Sequence, residues 1–151
     1  MEKTGVAFEH SIFEAAVRCG WKIHTYVIMS NHYHLAIQIP EPHLVEGMRW
    51  LQGTFATRSN RFRNERGHVF QGSYKALLLN EDRPLLELID SIHLNPVRAG
   101  LCDVDGLRDY GLSNFPKYLK RWIFAPLDRR TFLSLCELPT TFRACANIRK
   151  G

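Results

Sequence analysis

Residues 21–39 contain the pattern that most restricts the fold of this chain, two runs of strand-forming residues joined by a very short turn. The first run, residues 21–29, is rich in β-branched and aromatic side chains, which favour extended backbone. Ser30-Asn31 is a tight turn signal, and the second run covers residues 32–39 before Pro40. The pattern predicts two antiparallel strands that form a hairpin.

Helices are predicted on both sides of this hairpin, because apolar residues recur there in steps of three and four. They span about residues 8–18, 44–65 and 80–95, with stop signals at Gly20, Gly67 and Asn95-Pro96. The apolar stripe of the long middle helix is predicted to be Leu44, Met48, Leu51, Phe55 and Phe62. A third strand is predicted from Val69 to Leu79, around Gly72. Helices interspersed with antiparallel strands indicate an α+β fold, with helices packed on one face of an antiparallel sheet.

The composition is that of an ordinary globular protein. The chain has 151 residues, of which 45% are apolar and 23% charged, and it contains no apolar run of the roughly 18 residues that would span a bilayer. We expect one main domain over residues 1–125, with a C-terminal extension over 126–151 that packs on it and contains a short helix near 129–138. Four scattered cysteines indicate free thiols, and the absence of a secretory pattern leads us to expect a cytoplasmic protein.

Positive charge is concentrated on the long middle helix. The formal net charge is +5, and five arginines lie between Arg49 and Arg66 against the single glutamate Glu65. Aromatic residues such as Trp50 and Phe62 are interleaved with them. Arginines among stacking groups suit a phosphate backbone with unpaired bases, although on charge alone a solvated helix face explains the pattern equally well.

The sharpest chemical feature is the pair His32 and His34 in the second predicted strand. Side chains alternate along a strand, so both imidazoles point to one side of the sheet and Tyr33 points to the other. Two imidazoles on a rigid strand can clamp a metal ion. The alternative is that both pack under a helix, but Leu35 and Ile37 supply an apolar face of their own, so the histidine face is not needed for the core.

A second polar cluster lies on the helix that is predicted to end at Pro96. It consists of Ser91, His93 and Asn95, of which Ser91 and Asn95 are four residues apart and share a face. If this helix crosses the histidine face, the amide oxygen of Asn95 can serve as a third ligand. Two imidazoles and one oxygen leave positions open for phosphate and water, as in a catalytic metal site. The alternative role of Asn95 is to cap the helix before the proline.

Three stretches of the sequence occur in an order that points to a known family. They are Met29–Leu35 (MSNHYHL), Val69–Ala76 (VFQGSYKA) and Ile92–Leu101 (IHLNPVRAGL). Together they resemble the single-tyrosine HUH transposases, and in particular the REP-associated tyrosine transposases of bacteria. The resemblance covers about residues 8–120.

The resemblance implies a ferredoxin-like or RRM-like α+β fold and recognition of DNA hairpins with flanking single strand. It also implies Mg²⁺ or Mn²⁺, held by a histidine pair that His32 and His34 match and by a third ligand that Asn95 matches. In the family, a helix tyrosine attacks the scissile phosphate and forms a 5′-phosphotyrosine link with a free 3′-OH. The partner is therefore expected to be DNA, with no membrane association, and the protein a monomer or homodimer.

The chain departs from this family at the nucleophile, because Ser91 occupies the position of the tyrosine. A serine hydroxyl is several pKa units less acidic than a phenol and shorter in reach by about one ring. We therefore expect cleavage to be absent or weak. The residues expected to contact DNA are Arg49, Arg58, Arg61, Arg63, Lys75 and Arg98.

Two other functions remain open at the level of sequence. One is a domesticated DNA-binding module without chemistry, which predicts DNA affinity that does not depend on metal. The other is a metal-dependent phosphohydrolase of a small substrate, which the histidine pair permits. The arginine-rich helix argues against the second, because a small substrate does not need five spread cations.

Overall fold

The computed structural model describes residues 2–79, 82–119, 126–128 and 130. The helices and strands are α1 (Glu2–Cys19), β1 (Lys22–Ile28), β2 (Tyr33–Gln38), α2 (Leu44–Arg63), α3 (Asp82–His93), α4 (Asn95–Arg98), a 3₁₀ turn (Asp105–Arg108) and α5 (Phe115–Tyr118). This content confirms the α+β class. The described chain divides into two compact units, one of residues up to Trp21 and from Ile39 to Leu78, the other of Lys22–Gln38 and residues from Leu79 onward.

The first unit is built from the two long helices, α1 and α2, which pack against each other. Three aromatic rings join them to the following segment: the ring centre of Phe8 lies 4.8 Å from that of Phe55 and 5.8 Å from that of Phe70. On α2 the buried residues are Gly47, Met48, Leu51 and Phe55. The middle of the predicted apolar stripe is therefore confirmed.

Gly47 is required by the close approach of Trp21. A Cβ at Gly47 would overlap Trp21 Cζ2 and would lie 2.7 Å from Cη2, whereas a Cβ at Gly53 on the same helix would meet nothing within 4 Å. We expect Gly47→Ala to lower the free energy of unfolding by about 2 kcal/mol, since the clash outweighs the gain in helix propensity.

The matched control is Gly53→Ala, which should raise the free energy of unfolding by about 0.5 to 1 kcal/mol through helix propensity alone. Urea unfolding followed by circular dichroism measures both. Equal effects of the two alanines would contradict the packing described for Gly47.

The second unit is organised around the predicted hairpin, which the structure confirms. β1 pairs with β2 in antiparallel register from Ile28↔Tyr33 to Lys22↔Gln38, with one irregularity between Ile23 and Thr25. The Met29 amide donates to the His32 carbonyl at 2.8 Å, so only Ser30 and Asn31 form the turn. The other edge of β1 makes isolated bridges to Leu127 and Ser113.

Helix α3 packs on both strands of this hairpin. Its Ile92 is buried in a cluster with Val27 and Met29 from the β1 side and Ala36 from β2, and Tyr110 packs against that cluster. Leu88 of α3 also packs against this cluster, so the apolar side of α3 is the side that holds the helix to the sheet.

Three expectations about local structure are wrong. The segment Val69–Leu79 forms no strand: Gly72 has a φ of 89°, and the exposed Leu77 and Leu78 have no strand partner in the described chain. The stripe of α2 stops at Phe55, because Phe62 is 84% exposed. Asn64 at a φ of 53°, and not Gly67, ends α2. The predicted stop at Asn95-Pro96 agrees with the end of α3 at His93, and Pro96 itself sits in the first turn of α4, where its missing amide hydrogen costs nothing.

After residue 110 the described chain forms the short helix α5, four residues long. The predicted helix near 129–138 and most of the 126–151 extension lie outside the described residues, so the expected domain boundary stays a prediction. Within the described residues, no helix is long and apolar enough to cross a membrane.

Candidate functional site

The two histidines lie on the side of the hairpin that α3 covers. Ala36 follows His34 by two residues on β2, so it shares that side. Val27 lies directly opposite His34 in the register and therefore also shares it. Because Ala36 and Val27 are both buried against Ile92, α3 packs on the histidine side of the sheet. The expectation that this side is not needed for the core is wrong at Ala36.

His32 and His34 themselves are exposed and lie side by side at the turn end of the hairpin. Their ring centres are 5.2 Å apart and the ring planes make an angle of 83°. Two imidazoles that share one ion through nitrogens at about 2.1 Å have ring centres roughly 5 Å apart. The spacing of the pair therefore fits a single bound cation.

The environment of His34 also suits metal binding, which needs a neutral imidazole. Partial burial lowers the pKa of His34, and the neighbouring His32 lowers it further. The Nδ1 atom of His32 lies 2.7 Å from the amide oxygen of Asn31.

Ser91, Asn95 and Arg98 form a connected group where α3 meets α4. The Asn95 amide Nδ2 donates to the Ser91 carbonyl at 3.0 Å, and Arg98 Nη1 donates to the Ser91 hydroxyl at 2.9 Å. Asn95 therefore does cap the end of α3. The amide oxygen has lone pairs and the amide nitrogen only donates hydrogen bonds, so Oδ1 is the atom of Asn95 that can bind a cation.

His93, which the sequence grouped with this cluster, faces the core instead. Its Nε2 lies 2.8 Å from the Thr25 hydroxyl and 3.3 Å from the amide oxygen of Asn114. Burial lowers the pKa of His93 to about 4, against a smaller opposing effect of the Asn114 hydrogen bond, so the ring is neutral at physiological pH. His93 is a structural residue that anchors α3 to β1.

Among the described residues, no group of three or more histidine, cysteine, aspartate or glutamate side chains is placed to hold a metal ion. The histidine pair is therefore not completed by a carboxylate in that part of the chain. Within the described residues, a third protein ligand would be a neutral oxygen, and the amide of Asn95 is the candidate that the sequence proposed.

The predicted DNA-contacting cations are all exposed, but they differ in their partners. Arg58 donates to the Glu14 carboxylate at 2.7 Å, and Arg63 donates to the Thr4 hydroxyl at 3.0 Å. The side chains of Arg49 and Arg61 make no ion pair or hydrogen bond with the residues that the structure describes. These two are thus the arginines on α2 that are most available to an external anion. Lys75 lies in the irregular segment after α2.

The first unit also contains a cleft of about 310 Å³, lined by Arg18, Cys19, His43, Glu46 and Trp50. The guanidinium of Arg18 lies over the Trp50 ring, 5.5 Å from its centre. None of the lining residues belongs to the predicted metal or DNA-contact set, and we assign the cleft no role in the chemistry below.

Sequence reasoning missed three contributors to this region. The contact of Asn31 with His32 had a weak signal, since Asn31 directly precedes the histidine motif. The contact between Arg98 and Ser91 is one that a seven-residue spacing along a continuous helix could have suggested. The buried amide of Asn114 had no signal, because nothing in the sequence marks a loop asparagine as a core residue.

Comparison with known proteins identifies the class. A family model described as "Transposase IS200 like" matches residues 2–89, more than half of the chain, and the chain belongs to this family. Among curated proteins, the chain is similar to one from Haemophilus influenzae, described as a candidate REP-associated tyrosine transposase. The two are 26% identical over 127 residues, which cover 77% of this chain and 66% of that relative, a little under two thirds of its length. No solved structure shows a significant match.

Proposed function

We propose that this chain is an HUH-type transposase domain that binds hairpin or single-stranded DNA and a divalent cation, and that its cleavage step is impaired. On this proposal the hairpin and α3 belong to a ferredoxin-like fold. The observation that carries the proposal is the adjacent pair His32 and His34, at a spacing that one ion can bridge, on the sheet side that α3 covers. Membership of the IS200-like transposase family supports it.

The roles of the residues follow from their donor atoms. His32 and His34 supply two nitrogen donors, and Asn95 Oδ1 supplies an oxygen donor. A divalent cation bound there would polarise an oxygen of the scissile phosphate. Mn²⁺ and Mg²⁺ are the expected ions, and nitrogen donors should favour Mn²⁺, because Mg²⁺ prefers oxygen ligands.

Ser91 is poorly equipped for nucleophilic attack. Its hydroxyl accepts a hydrogen bond from Arg98, and a guanidinium has no lone pair with which to take a proton. Neither a carboxylate nor an imidazole of the described chain bonds to this hydroxyl. Arg98 is better suited to bind a phosphate oxygen, as the sequence proposed.

Affinity for DNA would come largely from cations on α2 and after it. Arg49, Arg58, Arg61, Arg63 and Lys75 are exposed and suit contacts to the phosphate backbone. Phe62, 84% exposed between Arg61 and Arg63, suits stacking on an unpaired base.

The arginines of α2 provide a test of DNA binding with an internal control. We expect Arg61→Ala to weaken binding to a hairpin oligonucleotide and to reduce the slope of log affinity against log salt by about 0.7 to 0.9, because one fewer counterion is released. Arg58→Ala should change this slope less, since Arg58 is paired with Glu14. Fluorescence anisotropy from 50 to 300 mM salt measures both slopes. A wild-type affinity that does not depend on salt would contradict DNA binding through these arginines.

A non-catalytic DNA-binding module is the second candidate, and the Ser91 environment is the observation that favours it. It predicts that EDTA leaves DNA affinity unchanged, whereas the leading proposal predicts weaker binding when the ion is removed. The third candidate, a small-substrate phosphohydrolase, predicts that small phosphates compete with the oligonucleotide for the site. We propose a cytoplasmic location and a monomer or homodimer on the family resemblance.

A further inference from the structure

We propose that Asn31 is a positioning residue, which determines the nitrogen of His32 that faces the bound cation. The inference rests on the proposed metal site. The contact that carries it is the hydrogen bond between the Asn31 amide oxygen and His32 Nδ1.

The position of Asn31 is fixed by the hairpin. The hydrogen bond from the Met29 amide to the His32 carbonyl, 2.8 Å long, closes the turn around Ser30 and Asn31. The pairing of Ile28 with Tyr33 continues the register from there. The turn thus fixes the backbone of Asn31 directly before His32, which keeps the two side chains within hydrogen-bonding reach of each other.

The contact itself is directional. The Asn31 amide oxygen lies 2.7 Å from His32 Nδ1, and a carbonyl oxygen can only accept a hydrogen bond. His32 must therefore carry its hydrogen on Nδ1, which leaves the lone pair on Nε2. A neutral imidazole binds a metal through the nitrogen that lacks hydrogen, so this contact selects Nε2 of His32 as the donor.

The effect should be large enough to measure, because both rings are exposed. An exposed imidazole rotates and exchanges tautomers, and binding an ion must then select one orientation. Metal-binding histidines commonly donate their second ring hydrogen to an orienting acceptor, and loss of that acceptor weakens metal affinity about 10- to 100-fold. For His34, the described residues include no hydrogen-bonding partner to its ring, so among these residues the contact of Asn31 with His32 is the side-chain hydrogen bond that orients one ring of the pair.

The first measurement is the tautomer of His32 in the metal-free chain, from the ¹⁵N shifts of the ring at a pH where it is neutral. We expect the Nδ1–H form in the wild type and a shift toward Nε2–H in Asn31→Ala. Asn31→Asp keeps an accepting oxygen and should restore Nδ1–H. Ser30→Ala, in the same turn but without contact to the ring, is the matched control and should resemble the wild type.

The second measurement is Mn²⁺ affinity of the same four proteins. We expect about a tenfold loss in Asn31→Ala and near wild-type affinity in Asn31→Asp and Ser30→Ala. A wild-type His32 in the Nε2–H form, or an Asn31→Ala chain that binds Mn²⁺ as tightly as the wild type, would overturn the role of Asn31. If the wild type binds no Mn²⁺, the proposed metal site is overturned, and the role of Asn31 at that site is overturned with it. The tautomer of His32 in the wild type and in Asn31→Ala then shows separately whether the hydrogen bond between Asn31 and His32 exists.

Discussion

Ser91→Tyr is expected to give a covalent protein–DNA adduct on hairpin oligonucleotides with Mn²⁺, where the wild-type chain gives little or none. Restoring a nucleophile should raise the rate of adduct formation by about three orders of magnitude or more, the scale on which removal of an enzyme nucleophile acts. The measurement is the band of slower mobility in a denaturing gel, with oligonucleotides labelled at either end.

The chemical reason lies in acidity and reach. A phenol loses its proton far more readily than an aliphatic alcohol, and its oxygen extends beyond the helix surface that Ser91 and Arg98 occupy. The phenol oxygen would form a bond to phosphorus, the 3′-oxygen would leave and take up a proton, and the protein would stay attached to the 5′-phosphate. The Arg98 guanidinium, no longer held by a serine hydroxyl, would be available to a phosphate oxygen.

Two control variants make this experiment decisive. Ser91→Phe supplies the ring without the hydroxyl and should give no adduct. Ser91→Tyr combined with His32→Ala keeps the phenol and removes one proposed metal donor, and it should lose most of the adduct. Efficient adduct formation by the wild-type serine would contradict the account of Ser91. Absence of adduct from Ser91→Tyr, in a chain shown to bind both DNA and Mn²⁺, would contradict the placement of the nucleophile.

Asn114→Ala is expected to cause the largest loss of stability. Asn114 is fully buried, and its Oδ1 accepts hydrogen bonds from the Thr25 hydroxyl and the Tyr26 amide, both at 2.9 Å. Its Nδ2 donates to the His24 carbonyl at 3.1 Å. Alanine would remove the acceptor of the Tyr26 amide and one buried partner each from the Thr25 hydroxyl and the His24 carbonyl, so we expect the free energy of unfolding to fall by about 3 kcal/mol or more.

The effect should extend to the site, because His93 of α3 contacts both Thr25 and Asn114. Urea unfolding measures the loss, with Gln71→Ala as the control. Gln71 is an exposed amide in an irregular segment, and its removal should change the free energy of unfolding by less than about 0.5 kcal/mol. A loss of under 1 kcal/mol in Asn114→Ala would contradict the buried network.

The hairpin and the long helices could be predicted from the sequence because their signals are local. Alternating residues and a two-residue turn define β1 and β2, and the spacing of Met48, Leu51 and Phe55 defines the buried side of α2. The segment after α2 was predicted wrongly as a strand, since local composition does not reveal whether a neighbouring strand exists to pair with it. The residue that ends α2 was placed three residues late, at Gly67 and not at Asn64, because asparagine competes with glycine for the left-handed position.

Of the candidate site, the sequence could predict only the part that lies on a strand, because alternation along the strand determines the side of the sheet to which each side chain points. The alternation of side chains along β2 placed His32 and His34 on one side of the sheet, and in the structure their ring centres are 5.2 Å apart. Placement of α3 on that side of the sheet was a conditional expectation, and the burial of Ile92 against Ala36 supports it. His93 could not be separated from Ser91 and Asn95 by sequence, because its partners Thr25 and Asn114 are distant in the chain.

The central claim is that His32 and His34 together hold a divalent cation, and the most direct test is a Mn²⁺ titration followed by the electron paramagnetic resonance signal of the free ion. We predict one Mn²⁺ bound per wild-type chain, with a loss of affinity of at least about tenfold in His32→Ala and in His34→Ala. The control His68→Ala removes an exposed histidine outside the pair and should bind Mn²⁺ like the wild type. Equal Mn²⁺ affinity in all four chains, or no binding by the wild type, would contradict the claim.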